Sequence, residues 1–404
     1  MTKILLVISK YLPEYTGAAY RIDGLYRRLK SLDENLEIEV LCNSTAEKKS
    51  QNYIHDGVKV RRVVFPWRLG FLPKRLRDTI KTYYEAFGSY IHMRKKRPDL
   101  IHIVGDSGAT RAALIYGRVK KIPRMIELVT CESSPMQYLP LLRYPKFLRL
   151  EKQSAIITIS AKLANDCAQE GLIDNVWSRP NPIDTREFSP QKDKKHEYRA
   201  RLSPFAADDL VISMVAKFMP QKNQIFMVEV LNYLSENYKL LLAGPRAKGG
   251  IFEHRDQQYF DDIKSLIDKY NLASRVHIVV DFVKAGDYMK AADIYVMPQH
   301  SEGLGTPMLE AFACAIPVVA NINEPAFCQW VKNGDNGFLC DMQPKIWAEH
   351  IIKALEIPQN KLLENSEYIK NIADINKCDK KYRKLIAELI DLSPDKELKV
   401  SDVF

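Results

Sequence analysis

Short runs of branched apolar residues recur along this chain, each followed by a longer amphipathic segment. "ILLVI", "IEVLC", "LIHIV", "RMIEL" and "AIITIS" punctuate the first half, with "YRIDGLYRRLKSL" between the first two. The rhythm breaks at a proline-bearing, charge-rich stretch, "NPIDTREFSPQKDKKHEYRARLS", and then restarts with "LVISMVA", "KLLLAG", "VHIVV", "IYVMP" and "PVVA". Helical segments such as "NQIFMVEVLNYLSEN" and "YFDDIKSLIDKYNL" separate these runs. Parallel strands need a crossover long enough to hold a helix, so this repetition predicts parallel sheets in an α/β protein. Two series of similar size predict two doubly wound domains, with Asn181–Ser203 as the linker. A ligand is expected in a central cleft that both domains face, where the carboxyl ends of the two sheets meet. The expected division is residues 1–185, residues 186–380, and a C-terminal helix and tail, 381–404, packing back toward the first domain.

A chain of 404 residues, 46% hydrophobic, can bury two cores of ordinary size. Its seven cysteines (Cys42, Cys131, Cys167, Cys314, Cys328, Cys340 and Cys378) include no Cys-x-x-Cys pair. An odd, scattered set fits neither a disulfide framework nor a zinc site, and it points to a reducing cytosol. The apolar start "MTKILLVISK" reads as a buried first strand rather than a signal peptide, and no run is long enough to cross a membrane.

The segment that demands chemistry is "HSEGLGTPMLEAFACAIPVVA", His300 to Ala320. It is mostly apolar, yet it carries Glu302 and Glu310 around a glycine-bearing loop. "DIYVMP" is a strand; "SEGLG" is a loop that permits close backbone approach; Thr306 is a good N-cap and Pro307 suits the first helical position. The free amides at such a helix start favour phosphate, whereas the two carboxylates suit hydroxyls. A phosphate flanked by polyhydroxylated rings would satisfy every group. The bland alternative is a capped helix with Glu310 in water. In "MVAKFMPQKNQ", Lys217 ends a strand and Lys222 stands at the start of the next helix, so both ammonium groups could reach a diphosphate; two solvated surface lysines are the alternative.

"AKFMPQKN", "LLLAGP", "AADIYVMPQHSEGLGTPMLEAFACAIPVVA" and "NGDNGFL" resemble successive motifs of the retaining glycosyltransferases of family 4, which have the GT-B fold of two Rossmann-like domains. "NPIDTREFSP" is similar to that family's interdomain motif, and "PDLIHIV" and "IITISAKLANDC" to weaker N-terminal features. The resemblance implies that the N-terminal domain, 1–185, binds the acceptor and the C-terminal domain, 186–380, the nucleotide sugar, that Lys217 and Lys222 hold the donor diphosphate, and that Glu310 hydrogen-bonds the ribose. It also implies that Glu302, with the backbone of Gly303, Leu304 and Gly305, holds the donor sugar, and that Thr306 contacts phosphate. Glu302, Lys217 and Lys222 form the implied catalytic set. "PEYTGAAY" resembles the loop that approaches donor and acceptor, with Gly17 in its leading glycine position; a simple βα turn is the equal alternative. Ala18 stands where the family usually has a second glycine. No histidine follows "RMIEL", where only Glu127, Thr130 and Glu132 are near, and His102 reads as a strand residue.

No Asp-x-Asp triplet is present, so the expectation is metal-independent transfer without a cofactor, cationic side chains stabilising the leaving group. The expected enzyme is a retaining hexosyltransferase moving sugar from a nucleotide-diphosphate sugar, UDP preferred over GDP, to a glycan or lipid-linked acceptor in surface polysaccharide or lipopolysaccharide synthesis. A nucleotide-sugar epimerase of the same architecture is the serious alternative. A dinucleotide oxidoreductase lacks its Gly-x-Gly-x-x-Gly, and no nucleic-acid module accompanies the basic residues. The net charge of +10 is concentrated between Lys59 and Arg97. There "FPWRLGFLPKRLRDTIKTYYEAFGSYIHMRKKR" mixes Trp67, Phe71, Leu72, Tyr83 and Tyr84 with cations, the composition of a segment that docks on an anionic membrane surface, or of an ordinary helix with a solvated basic face. Localisation is expected in the cytoplasm, peripheral on the inner face of the plasma membrane.

Overall fold

The computed structural model describes residues 2–66, 71–129, 145–246, 252–301 and 303–404. The chain divides into two compact units, Met1–Arg179 with Asn376–Phe404, and Pro180–Ile375.

Unit 1 runs β1 (Thr2–Ile8), α1 (Gly17–Leu32), β2 (Leu36–Cys42), β3 (Gln51–His55), β4 (Val58–Arg62), α2 (Lys74–Lys96), β5 (Leu100–Val104), α3 (Gly108–Lys120), β6 (Arg124–Leu128), α4 (Pro145–Leu148), β7 (Ser154–Thr158), α5 (Ala161–Gln169) and β8 (Val176–Ser178). The sheet order is β3-β4-β2-β1-β5-β6-β7-β8. Residues Ile4 to Ile8 of β1 are all buried, as a central parallel strand covered on both faces requires. One pairing departs from the expected parallel pattern: β3 and β4 form an antiparallel edge hairpin. Its two-residue turn is Asp56-Gly57, a dipeptide that such turns favour.

Unit 2 begins before its first strand. It comprises α6 (Lys195–Leu202), β9 (Leu210–Val215), α7 (Gln224–Leu231), β10 (Tyr238–Ala243), α8 (Glu253–Lys269), β11 (Val276–Val279), α9 (Ala285–Lys290), β12 (Ile294–Met297), α10 (Thr306–Ala313), β13 (Val318–Asn321), α11 (Pro325–Cys328), β14 (Gly337–Cys340), α12 (Pro344–Leu355) and α13 (Gln359–Ala373). The sheet order is β11-β10-β9-β12-β13-β14, and every pairing is parallel. Asn181–Ser203 is not a free linker. Thr185 Oγ1 donates to Asp374 at 2.5 Å, Lys195 pairs with Asp293 at 2.5 Å, and buried Arg199 bonds Asp293 at 2.7 Å. These polar residues pair with groups 94 to 189 positions downstream, which local charge density alone does not reveal.

The chain then returns to unit 1 as α14 (Ile375–Asp391) and α15 (Val400–Val403). On α14, Cys378, Tyr382, Leu385, Ile386 and Leu389 fall on one helical face and are buried. Arg28 of α1 fixes this helix through Asp379, with bonds of 2.6 and 3.1 Å. Beneath it lies a buried ionic cluster. Glu127, at the end of β6, accepts from Arg21, from Tyr382 and, at 3.3 Å, from Arg179. Burial alone would raise the Glu127 carboxyl, yet Arg21 and Arg179 hold it well below the usual carboxylate range. His102 lies in β5, fully buried, its Nδ1 hydrogen-bonded to Tyr26 at 2.7 Å, and burial lowers its pKa. Glu127 and His102 are thus built into the unit 1 core.

Candidate functional site

The sheet of unit 2 reverses its winding between β9 and β12, which are hydrogen-bonded neighbours. At such a switch point the following loops diverge to opposite faces and leave room for a ligand at the carboxyl ends of the strands. Lys217 and Lys222 follow β9, and His300 to Thr306 follow β12, so the structure brings these two predicted groups to one edge of one sheet. Gln221 joins them: its Nε2 donates to the carbonyls of His300 (3.3 Å) and Ser301 (3.0 Å), and its own carbonyl accepts the His300 amide at 3.4 Å.

Lys217 is half-exposed and held. Its Nζ lies 2.9 Å from Oδ2 of Asp256, a fully buried carboxylate on α8 that also takes Arg255 at 2.6 Å. The Lys217 carbonyl accepts from Gln224 Nε2 at 3.0 Å. The preceding backbone approaches β10 so closely that a Cβ on Gly244 would lie 2.0 Å from the Ala216 carbonyl oxygen; Gly244 also has φ +151°. Lys222 closes a 3-10 turn, Pro220–Lys222, and Asn223, with φ +59°, separates it from α7. Lys222 therefore precedes the helix instead of opening it.

The start of α10 also differs from expectation by one residue. Gly305, not Thr306, is the N-cap, with φ +78°. A Cβ there would fall 2.5 Å from Phe327, so packing, rather than hydroxyl capping, sets the boundary. Thr306 becomes the first helical residue, and its Oγ1 accepts from Asn181 Nδ2 at 2.8 Å. Pro307 follows inside the first turn. Leu304, Gly305 and Thr306 precede the first backbone bond of the helix, Met308 N–H to the Gly305 carbonyl at 2.9 Å, so their amides have no intrahelical acceptor. Gly303 is partly exposed, and Leu304 is buried. Glu302 lies outside the described residues, as do Trp67, Thr130 and Glu132.

Glu310 is half-buried, and its side chain makes no hydrogen bond or ion pair among the described residues. Burial, and then the like charge of Glu187, push its carboxyl up to about 8. At neutral pH it is mostly protonated, able both to donate and to accept. Glu187 is set against α9, where a Cβ on Gly286 would lie 2.9 Å from its Cγ. Sequence reading did not find Asp256, Glu187, Asn181 or Gln221. Glu187 and Asn181 lie in the quoted "NPIDTREFSP", whereas nothing local ties Asp256 to Lys217, which is 39 residues away. Gly17, in unit 1, opens α1 behind the Thr16 cap and has nothing within 4 Å of a Cβ built on it. No group of three or more His, Cys, Asp and Glu side chains suited to a metal occurs among the described residues.

Residues 197–373, which contain this edge of the sheet, match the family model "Glycosyl transferases group 1". The chain is a glycosyltransferase. It is 23% identical over 325 residues to the UDP-Gal:alpha-D-GlcNAc-diphosphoundecaprenol alpha-1,3-galactosyltransferase of Escherichia coli, covering 77% of each chain. A sucrose-phosphate synthase from Thermosynechococcus elongatus superposes with a TM-score of 0.71 at 17% identity, over 97% of this chain and 100% of that one. Anabaena HepE in complex with UDP-glucose gives a TM-score of 0.70 at 17% identity, over 96% and 100%. The fold of this glycosyltransferase is GT-B, two Rossmann-like units of mostly parallel sheet.

Proposed function

We propose that unit 2 binds a nucleotide-diphosphate sugar and that the enzyme transfers its sugar, with retention and without a metal, to a glycan or lipid-linked acceptor of surface polysaccharide or lipopolysaccharide synthesis. The observation that carries this is the convergence, at one switch point, of Lys217 braced by Asp256, the Lys222 turn, and the open amides at the start of α10. Positive charge and aimed amides are what a diphosphate leaving group needs as its negative charge develops. Glu310 has a matching role at the ribose hydroxyls: a mostly neutral carboxyl bonds to them without repelling the diphosphate. The donor sugar is assigned to Gly303, Leu304, Gly305 and Glu302, and the catalytic set to Glu302, Lys217 and Lys222. Gly17 is assigned to close ligand approach, which its open surroundings in unit 1 permit.

UDP is the preferred nucleotide, in keeping with the UDP-Gal donor named for the E. coli relative and the UDP-glucose bound to HepE. The match to a glycosyl transferase family favours transfer over epimerisation. A thermal-shift panel of UDP, GDP and ADP tests the donor reading: stabilisation of wild type by UDP, lost in Lys217→Ala, is the expected result. Turnover of a nucleotide sugar to its epimer without acceptor would overturn the transferase assignment, and loss of transfer in EDTA would overturn metal independence.

The membrane surface enters through α2. Leu76, Tyr83, Phe87 and Ile91 form an exposed stripe at helical spacing, Phe87 being 68% exposed. Lys74, Arg75 and Arg77 stand at one end of the helix and Arg94, Lys95 and Lys96 at the other, all near an exposed apolar face. That pattern suits an anionic bilayer, the apolar stripe entering the interface while cations meet headgroups. No helix among the described residues is long and apolar enough to cross a membrane. Flotation with vesicles of phosphatidylglycerol is expected and flotation with phosphatidylcholine alone is not; equal behaviour on both would remove the idea.

A further inference from the structure

Unit 2 opens with Pro180-Asn181-Pro182, and Asn181 has no part in the donor reading above. Its segment is fixed. The proline that follows disfavours a helical backbone at Asn181. Ile183, 2% exposed, is bonded on both sides, its amide to the Ala373 carbonyl at 2.8 Å and its carbonyl to the Ile375 amide at 3.0 Å. Asn181 therefore reaches the start of α10 from an anchored stretch of chain.

The Asn181 side chain makes one hydrogen bond among the described residues: its Nδ2 donates to Thr306 Oγ1 at 2.8 Å, and its buried Oδ1 has no partner. The opposite orientation of the amide would place two N–H donors where that single carbonyl oxygen sits, so donation to Thr306 costs less. The contact has a chemical consequence. A hydroxyl carries one proton and two lone pairs; Asn181 fills a lone pair, which leaves the proton to be given elsewhere. No described residue accepts it. Had Thr306 capped α10, as Thr16 caps α1 by accepting the Ala19 amide at 3.1 Å, its oxygen would serve the backbone. The Gly305 cap releases it. The hydroxyl instead stands on the first helical residue, beside the amides of Leu304, Gly305 and Thr306 that lack intrahelical acceptors.

We propose that Asn181 is a positioning residue for the diphosphate of the donor: by donating into Thr306 Oγ1 it turns the hydroxyl proton toward a phosphate oxygen. The inference rests on the reading of unit 2 as the donor site and adds an O–H donor, and the group that aims it, to the open amides there. Bonds from O–H to an anionic oxygen are short and strong, and a donor behind the hydroxyl polarises it and strengthens what it gives. A bond that merely tied Asn181 to α10 would work as well with an acceptor facing the hydroxyl, so Asn181→Asp separates the two roles.

The test uses the full chain, with the nucleotide among UDP, GDP and ADP that stabilises wild type most and its nucleoside as the phosphate-free control. Calorimetry gives the diphosphate affinity and saturation-transfer NMR the nucleoside affinity. Thr306→Val is expected to weaken the diphosphate about tenfold and Asn181→Ala about fivefold, each leaving the nucleoside within about twofold. Thr306→Ser keeps the hydroxyl and is expected to bind like wild type. The double variant Asn181→Ala/Thr306→Val should match Thr306→Val, because the amide acts only through the hydroxyl. Asn181→Asp takes up the hydroxyl proton, so it should bind the diphosphate more weakly than Asn181→Ala while its Tm is no lower. Unchanged diphosphate affinity in Thr306→Val, equal losses of diphosphate and nucleoside in Asn181→Ala, or additive losses in the double variant would each overturn the proposal. Stabilisation of wild type by none of the three nucleotides would instead remove the donor reading itself, and this proposal with it, before any variant is made.

Discussion

Lys217 and Asp256 form the residue pair on which donor chemistry turns. Asp256 is fully buried and Lys217 is not, so the carboxylate acts as a brace that positions the ammonium group. Lys217→Ala is expected to lower kcat at least a hundredfold, and Asp256→Asn to lower it less. The double variant should be no worse than Lys217→Ala, because residues acting through one another are non-additive; a fully additive loss in steady-state kinetics would separate their roles. Glu310 makes a different prediction. Its folded-state pKa, about 8, lies above the unfolded value of about 4.3, so the native state binds the proton more tightly. The stabilisation this gives is complete below the unfolded value and is lost as pH rises toward 8. Wild-type Tm should therefore drop across that window more than the Tm of Glu310→Gln, and Glu310→Ala should weaken UDP-sugar binding about tenfold by calorimetry.

At the scale of elements, two glycines decide where strands and helices end. Gly244 lets β10 pass beside Ala216, and Gly305 starts α10 against Phe327. An alanine at either position combines a disfavoured φ with a backbone or ring collision, so Gly244→Ala and Gly305→Ala should each cost about 2 kcal/mol or more in urea unfolding of unit 2. Neither requirement is written locally. The "LLLAGP" and "SEGLG" motifs announce turns, but that Thr306 loses the cap to Gly305 follows from a phenylalanine 22 residues later. The βα alternation was legible because periodicity is local. The β3–β4 hairpin was legible in principle from Asp56-Gly57, yet β3 is short, polar and mostly exposed and β4 carries Lys59, Arg61 and Arg62, so the hydrophobic pattern did not single them out.

In the whole molecule, the two units should respond differently to acid. In unit 1, Glu127 is held far below its usual range and burial lowers the His102 pKa, so the unfolded state binds more protons than the native state. Stability is then lost as pH falls, beginning below about 6.5 through the histidine and continuing below about 4.3 through the carboxylate. Hydrogen exchange followed by mass spectrometry at pH 7 and pH 4.5 should show unit 1 opening first. Tyr382→Phe removes one bond to Glu127 and is expected to destabilise unit 1 by about 1–3 kcal/mol at pH 7, leaving unit 2 unchanged. The same cluster explains why the last 29 residues belong to the first unit. Tyr382 meets Glu127 across 255 positions, and Asp379 meets Arg28 across 351.

By itself the sequence determined the α/β class, the two strand series, the loop–helix motif carrying Glu310, and the lysines of the β9 turn, because each depends on spacing within a few residues. The tertiary structure decided what those groups experience. The raised pKa of Glu310 comes from burial and from Glu187, 123 residues earlier; the hold on Lys217 comes from Asp256 on α8, 39 residues later. Glu85, which reads in sequence as one acid in a basic helix, becomes a buried carboxyl beside Lys81 at the edge of a cavity only when β1, β2 and β5 close around it. Charge is a property of a residue, but desolvation and pairing are properties of its surroundings, and only the folded chain supplies those.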